Sequence, residues 1–68
     1  MGRVTGDGTV GKALEVLDQV AAFGRPVRFS EILAQSDFPK PTLYRFVQTL
    51  TNQQMLAYDP ERQTYSPG

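Results

Sequence analysis

Neither cysteine nor histidine occurs among the 68 residues of this chain. Without cysteine there is no disulfide framework, no thiolate nucleophile and no zinc knuckle. Without either residue, the usual transition-metal sites and nearly all nucleophile–base pairs fall away. No carboxylates pair in a pattern that would serve a cleft, so the chain reads as a non-enzyme without cofactor or metal. Long apolar runs are missing too. Nothing approaches the roughly 20 residues of a membrane span, and the N-terminus lacks the apolar centre of a signal peptide. The expectation is a reducing, cytoplasmic setting with no membrane partner. Nor does either charge dominate, since seven Lys and Arg balance seven Asp and Glu. Dedicated polyanion binders usually carry surplus positive charge. A nucleic-acid role therefore requires basic side chains gathered on one face, or two copies acting together.

A chain this short makes one domain and buries only roughly 60 % of its unfolded surface, which predicts a thin core. The opening "MGRVTGDG" (residues 1–8) is glycine-rich and aperiodic, and reads as a disordered lead-in to a domain over 9–68. Thr9 suits the N-cap of a first helix. Val10, Ala13, Leu14, Leu17, Val20 and Ala21 then recur at helical spacing, a stripe expected to be buried. Val16 and Phe23 widen that stripe beyond what a small domain needs. Gly24 and Pro26 end the helix.

"VRF" (Val27 to Phe29) is too short for more than a stub of strand. Ser30 is read as the N-cap of a second helix, "EILAQS", with Glu31 in its first turn where the helix dipole favours an anion. Ile32 and Leu33 face inward, and Asp37 and Phe38 turn the corner. A third helix runs from about Pro41 to Asn52, burying Leu43, Phe46, Val47 and Leu50. "MLAYD", a polar turn "PERQ" and a strand around "TYS" form a hairpin. The architecture is mainly α with a small β-hairpin: three helices plus a two-stranded wing, a winged helix-turn-helix.

"FPKPTLYRFVQTL" (Phe38 to Leu50) carries the functional reading. A residue before proline is pushed out of the helical region, so Lys40 is expected at the cap and Pro41 at the first helical position. The N–H groups of Thr42 and Leu43 would then face outward beside a cation, a setting that suits phosphate. The other reading is that water serves these groups and the prolines stiffen a turn. With the apolar side inward, Pro41, Arg45 and Gln48 take the opposite face. Arginine bonds guanine bidentately and glutamine does so with adenine, while hydroxyls mostly meet phosphate. Arg45 and Gln48, with Pro41 at the tip, are therefore the candidates for base readout. Lys40, Thr42 and Tyr44 are the candidates for phosphate. An ordinary solvated helix face would carry the same residue types. Arg25 and Arg28 flank the stub before the second helix, which in this motif starts at the phosphate backbone, and Ser30 joins them. Arg62 and Gln63 sit at the wing tip, where a minor groove would be in reach, although hairpin tips are commonly polar in any case. Glu15 and Asp18 keep acidic charge on the first helix.

The run "VGKALEVLDQV…FSEILAQSDFPKPTLYRFVQTLTNQQMLAYDPERQTYSPG" resembles the DNA-binding domain of the IclR family of bacterial transcriptional regulators, over roughly Thr9 to Gly68. Thr42, Arg45, Asp59, Tyr65 and Gly68 match the family pattern. Gln54 stands where glycine is common after the third helix, Asp37 replaces another turn glycine, and Pro67 replaces a leucine. The resemblance implies a domain excised from a longer regulator with a C-terminal effector-binding domain, so no small-molecule effector belongs to this segment. It implies operator DNA as partner and a homodimer through the first helix, or a tetramer in the full-length protein. Val16, Val20 and Phe23 are the candidate dimer surface; the other reading has Val16 and Phe23 covering the hairpin or third helix of their own chain. A winged helix used for protein–protein interaction, without DNA binding, is the alternative function, and zero net charge favours it because counterion release supplies much of DNA affinity.

Overall fold

The computed structural model describes residues 8–68, and within them side chains from Gly11 onward. Helix α1 spans Gly8–Ala22, α2 Phe29–Ala34 and α3 Lys40–Asn52, followed by strands β1 (Leu56–Asp59) and β2 (Thr64–Pro67). Three helices and an antiparallel hairpin make a winged helix-turn-helix, as the order of patterns predicts. The lead-in lies outside the described residues except for Gly8, which already belongs to α1. Thr9 thus falls inside the helix, not at its cap.

The termini follow local chemistry. Gly24 adopts φ +70 and its N–H donates to the Ala21 carbonyl, the left-handed residue that closes α1. At the end of α3 the same device is built from a less suitable residue. The N–H of Met55 donates to Leu50 O at 2.8 Å and that of Gln54 to Thr51 O at 3.0 Å, with Gln54 at φ +64. This double closure needs one left-handed residue, which explains why glycine is common there and why Gln54 is a departure. Asp37, by contrast, is not among the positive-φ residues, so its turn demands no glycine.

The hairpin pairs Leu56 with Pro67 and Tyr58 with Tyr65. The "VRF" stub contributes one residue to it: Val27 and Tyr65 exchange both backbone bonds, 2.9 and 2.6 Å. Gly68 donates to Met55 O at 2.9 Å, and a Cβ on it would stand 2.5 Å from the Gln54 carbonyl oxygen. The final glycine is therefore a requirement of close approach.

Val16, Val20, Val27, Ile32, Leu43, Val47, Leu50, Leu56 and Tyr65 form the core. Every element supplies at least one of them, so none can be removed without exposing the rest. The α3 assignment holds: Leu43, Val47 and Leu50 are buried, and Phe46 is half-buried with its ring edge against Phe38, 5.2 Å between centroids. The α1 assignment is corrected. Its buried centre is Val16 and Val20, while Leu14 (44 % exposed) and Ala21 lie outside. Helix α1 packs on α3 and β2, and Val16 and Val20, one turn apart, are the side chains aimed at both. No described helix is long and apolar enough to cross a membrane.

Candidate nucleic-acid interface

Helix α3 starts one residue earlier than the proline rule predicts. Pro39 is the N-cap, with extended backbone (φ −60, ψ 154), Lys40 is the first helical residue and Pro41 the second. Proline is tolerated anywhere in a first turn because no N–H there has an intrahelical acceptor. The Pro39 carbonyl accepts from Leu43 N–H at 2.9 Å, so Leu43 is not a free donor. Pro41 has no N–H, which leaves those of Lys40 and Thr42 at the terminus. They lie beside the exposed Lys40 side chain, and the positive end of α3 reinforces both.

Along α3, Pro41, Arg45, Gln48 and Asn52 are exposed, opposite the buried Leu43, Val47 and Leu50. Arg45 has no carboxylate within ion-pair distance among the described residues. It lines one side of a groove of about 370 Å³ between α3 and α1, with Thr42, Thr49, Phe46, Leu14 and Met55. Tyr44 is 49 % exposed and faces the other way, its ring edge-on to Phe29 of α2 at 5.7 Å. The Gln48 amide donates to the Tyr44 hydroxyl at 2.8 Å. Two residues assigned separate roles from sequence are thus one unit.

Helix α2 begins at Phe29 with Arg28 as its N-cap, so Ser30 is not the cap but lies in the first turn. The N–H of that cap residue is met from within the helix: the Glu31 carboxylate reaches back to accept it at 2.9 Å. Glu31 also receives Arg25 at 2.8 and 3.3 Å. These bonds, the Arg25 guanidinium first and the Arg28 N–H second, lower the Glu31 carboxyl to about 2. The same pairing raises Arg25 further. Of the two arginines flanking the stub, Arg25 is therefore already neutralised, and Arg28 is the cation without a charged side-chain partner among the described residues. Arg28 and Ser30 line a cleft of about 310 Å³ between α2 and the wing, together with Gln63, Tyr58, Phe29 and Tyr65.

The wing loop is held by Asp59. Its carboxylate accepts the N–H of Glu61 at 3.0 Å and of Arg62 at 3.4 Å, and its carbonyl accepts Gln63 N–H at 2.6 Å. Gln63 takes the left-handed conformation (φ +57) that reverses the chain. Arg62 is exposed in this turn. Asp59 therefore orders the loop, an account of why that residue type belongs there.

The proposed dimer surface needs correction. Val16 and Val20 are both 0 % exposed within their own chain and cannot meet a second copy. Phe23 is half-buried against the core, with the Arg25 guanidinium over its ring at 5.6 Å. The apolar arc of α1 is indeed wider than the core uses. Its surplus is Leu14 and Ala21, both exposed on the side next to the buried centre, with Leu17 between them half-buried against the core.

Tyr58 was not a candidate from sequence. It is 43 % exposed, its ring lies 4.8 Å from that of Tyr65, and it lines the cleft with Arg28 and Gln63. Its place two residues after buried Leu56, on the same strand face, was the available signal. Thr49 was also missed; it follows Thr42 by two turns on the α1-facing flank of α3.

Residues 9–60 match the family model of the IclR helix-turn-helix domain. The chain is similar to the crystal structure of an IclR transcriptional regulator from Alicyclobacillus acidocaldarius, with 28 % identity and a TM-score of 0.76. That similarity covers 98 % of this chain and 26 % of the other, so the chain spans about a quarter of that protein's length. No curated protein matches.

Proposed function

Since this chain belongs to the IclR helix-turn-helix domain family, we propose that it binds double-stranded DNA in a sequence-specific way as the reading domain of a transcription regulator. Helix α3 enters the major groove with its N-terminal half foremost. Arg45 and Gln48 read base edges, and Pro41 marks the closest approach of the helix to the groove floor. The observation that carries this reading is the polarity of α3: an anchored apolar side and, opposite it, an exposed Arg45 with no carboxylate partner among the described residues. Lys40 and Thr42, with their backbone N–H groups at the helix start, hold a phosphate. Arg28 and Ser30 take the neighbouring strand at the start of α2, and the Tyr44 O–H is free to donate to phosphate. Arg62 and Gln63 approach the adjacent minor groove.

A homodimer on two half-sites about one helical turn apart completes the reading, because it doubles the few cations of a chain with no net charge. Its surface on α1 is Leu14 and Ala21, the apolar side chains left exposed once Val16 and Val20 are buried, with the open edge of half-buried Leu17 between them.

Selection of bound duplexes from a random library, with the chain alone and joined to a dimerising zipper, tests the proposal. The expected result is an inverted repeat. Arg45→Ala should then cost about 1–3 kcal/mol on the selected site and relax one position, whereas Lys40→Ala should weaken all sequences alike. Duplexes recovered without any shared sequence, or capture of a nuclease-resistant protein partner in their place, would favour the interaction-module reading.

A further inference from the structure

We propose that Tyr44 is a positioning residue for Gln48 and biases it toward adenine over guanine; the inference rests on the base-reading role of α3 proposed above. A glutamine amide offers two N–H donors and one acceptor oxygen with two lone pairs. Unrestrained, it turns about its last bond and serves either purine. Its oxygen and one N–H match the donor and acceptor on the major-groove edge of adenine. Its two N–H groups together can meet the paired acceptors of guanine.

In this chain one N–H of Gln48 is already given to the Tyr44 hydroxyl at 2.8 Å. What remains is the oxygen and a single N–H, the adenine set. The tyrosine is held in turn. It lies one turn before Gln48 on the same helix, and the edge contact with Phe29 of α2 fixes its ring at 5.7 Å and 74°. Phe29 itself packs against the core. The amide is therefore tied to the body of the domain through two side chains, while both it and Tyr44 remain exposed to a groove. The tyrosine accepts this bond, so its own O–H stays available to a backbone phosphate.

The test is site selection by the full chain in four forms: unchanged, Gln48→Ala, Tyr44→Phe and the double variant. Gln48→Ala identifies the base position that Gln48 reads. Tyr44→Phe keeps the ring and the Phe29 contact and removes only the hydroxyl. At that same position, adenine-over-guanine preference should fall by about 3- to 10-fold, the span of one lost hydrogen bond. Preference at the Arg45 position should not change, and the double variant should match Gln48→Ala alone. A uniform loss across all sequences reports only the phosphate contact of the Tyr44 hydroxyl; the proposal is overturned if Tyr44→Phe leaves the adenine-over-guanine preference at the Gln48 position unchanged, whether or not overall affinity falls. It also fails if Gln48→Ala alters no position; retained loss in Arg45→Ala would then leave the broader DNA-reading function standing. Absence of any preference in the unchanged chain would remove both.

Discussion

Arg25 and Glu31 hold one another through two hydrogen bonds, Nη2 to Oε2 at 2.8 Å and Nη1 to Oε1 at 3.3 Å. A third donor to Glu31, the backbone N–H of Arg28, makes the carboxylate both an ion-pair partner and the acceptor for the N-cap residue of α2. One acidic side chain thereby decides which of the two arginines keeps a charge unpaired among the described residues.

A pH dependence follows from the Glu31 carboxyl, which stands at about 2 against an ordinary value of 4.5. The folded chain favours the deprotonated form. Its contribution to stability is therefore complete above about 4.5 and is lost as pH falls through about 2. Thermal melts of the wild-type chain and Glu31→Gln should differ at pH 6 and converge toward pH 2. The pair is largely exposed, so the difference should be small and should shrink in high salt.

The same pairing separates the two arginines in DNA binding. Each phosphate contact contributes about 0.9 to the slope of log affinity against log salt. Arg28→Ala should lower that slope by roughly one contact, and Arg25→Ala by distinctly less. Equal losses from titrations at several salt concentrations would show that Arg25 leaves Glu31 to reach the duplex.

Gln54 carries a left-handed backbone that costs an L-residue roughly 1–2 kcal/mol, partly offset by the greater freedom of glycine in the unfolded chain. Gln54→Gly should raise stability by about 0.5–1 kcal/mol, read from the urea midpoint. A β-branched residue there, as in Gln54→Val, should lower it. A loss with glycine would mean that the Gln54 side chain makes a compensating contact.

The two apolar sectors of α1 should respond in opposite ways. Val16→Ala removes wholly buried methyl groups and should destabilise the domain by about 2 kcal/mol, a fall in Tm of roughly 10 °C. Leu14→Lys, at a half-open site, should change monomer stability by less than about 0.5 kcal/mol. It should nevertheless reduce dimer formation in sedimentation experiments and weaken binding to the two-half-site duplex. Unchanged assembly in Leu14→Lys would move the dimer surface elsewhere.

Much of this architecture was legible in the linear pattern. Leu43, Val47 and Leu50 recur at 3.6-residue spacing, and that period alone places Arg45 and Gln48 opposite them. Gly24 and the two prolines around Lys40 mark where helices must stop and start, because backbone restrictions act locally. What periodicity could not resolve was the choice between adjacent sectors. On α1, the Val16–Val20 and Leu14–Leu17–Ala21 sectors are both apolar, and only contact with α3 and β2 selects the first for burial. Likewise, Glu31 accepts from both the Arg28 N–H and the Arg25 guanidinium, and the loss of Arg25 as a free cation follows from that convergence in space. The link from Phe29 through Tyr44 to Gln48 joins two helices and has no signature along the chain. Local chemistry set the elements and the outward face of α3. Packing, which brings distant residues into range and makes neighbours compete for one position, decided which side chains remain available to a partner.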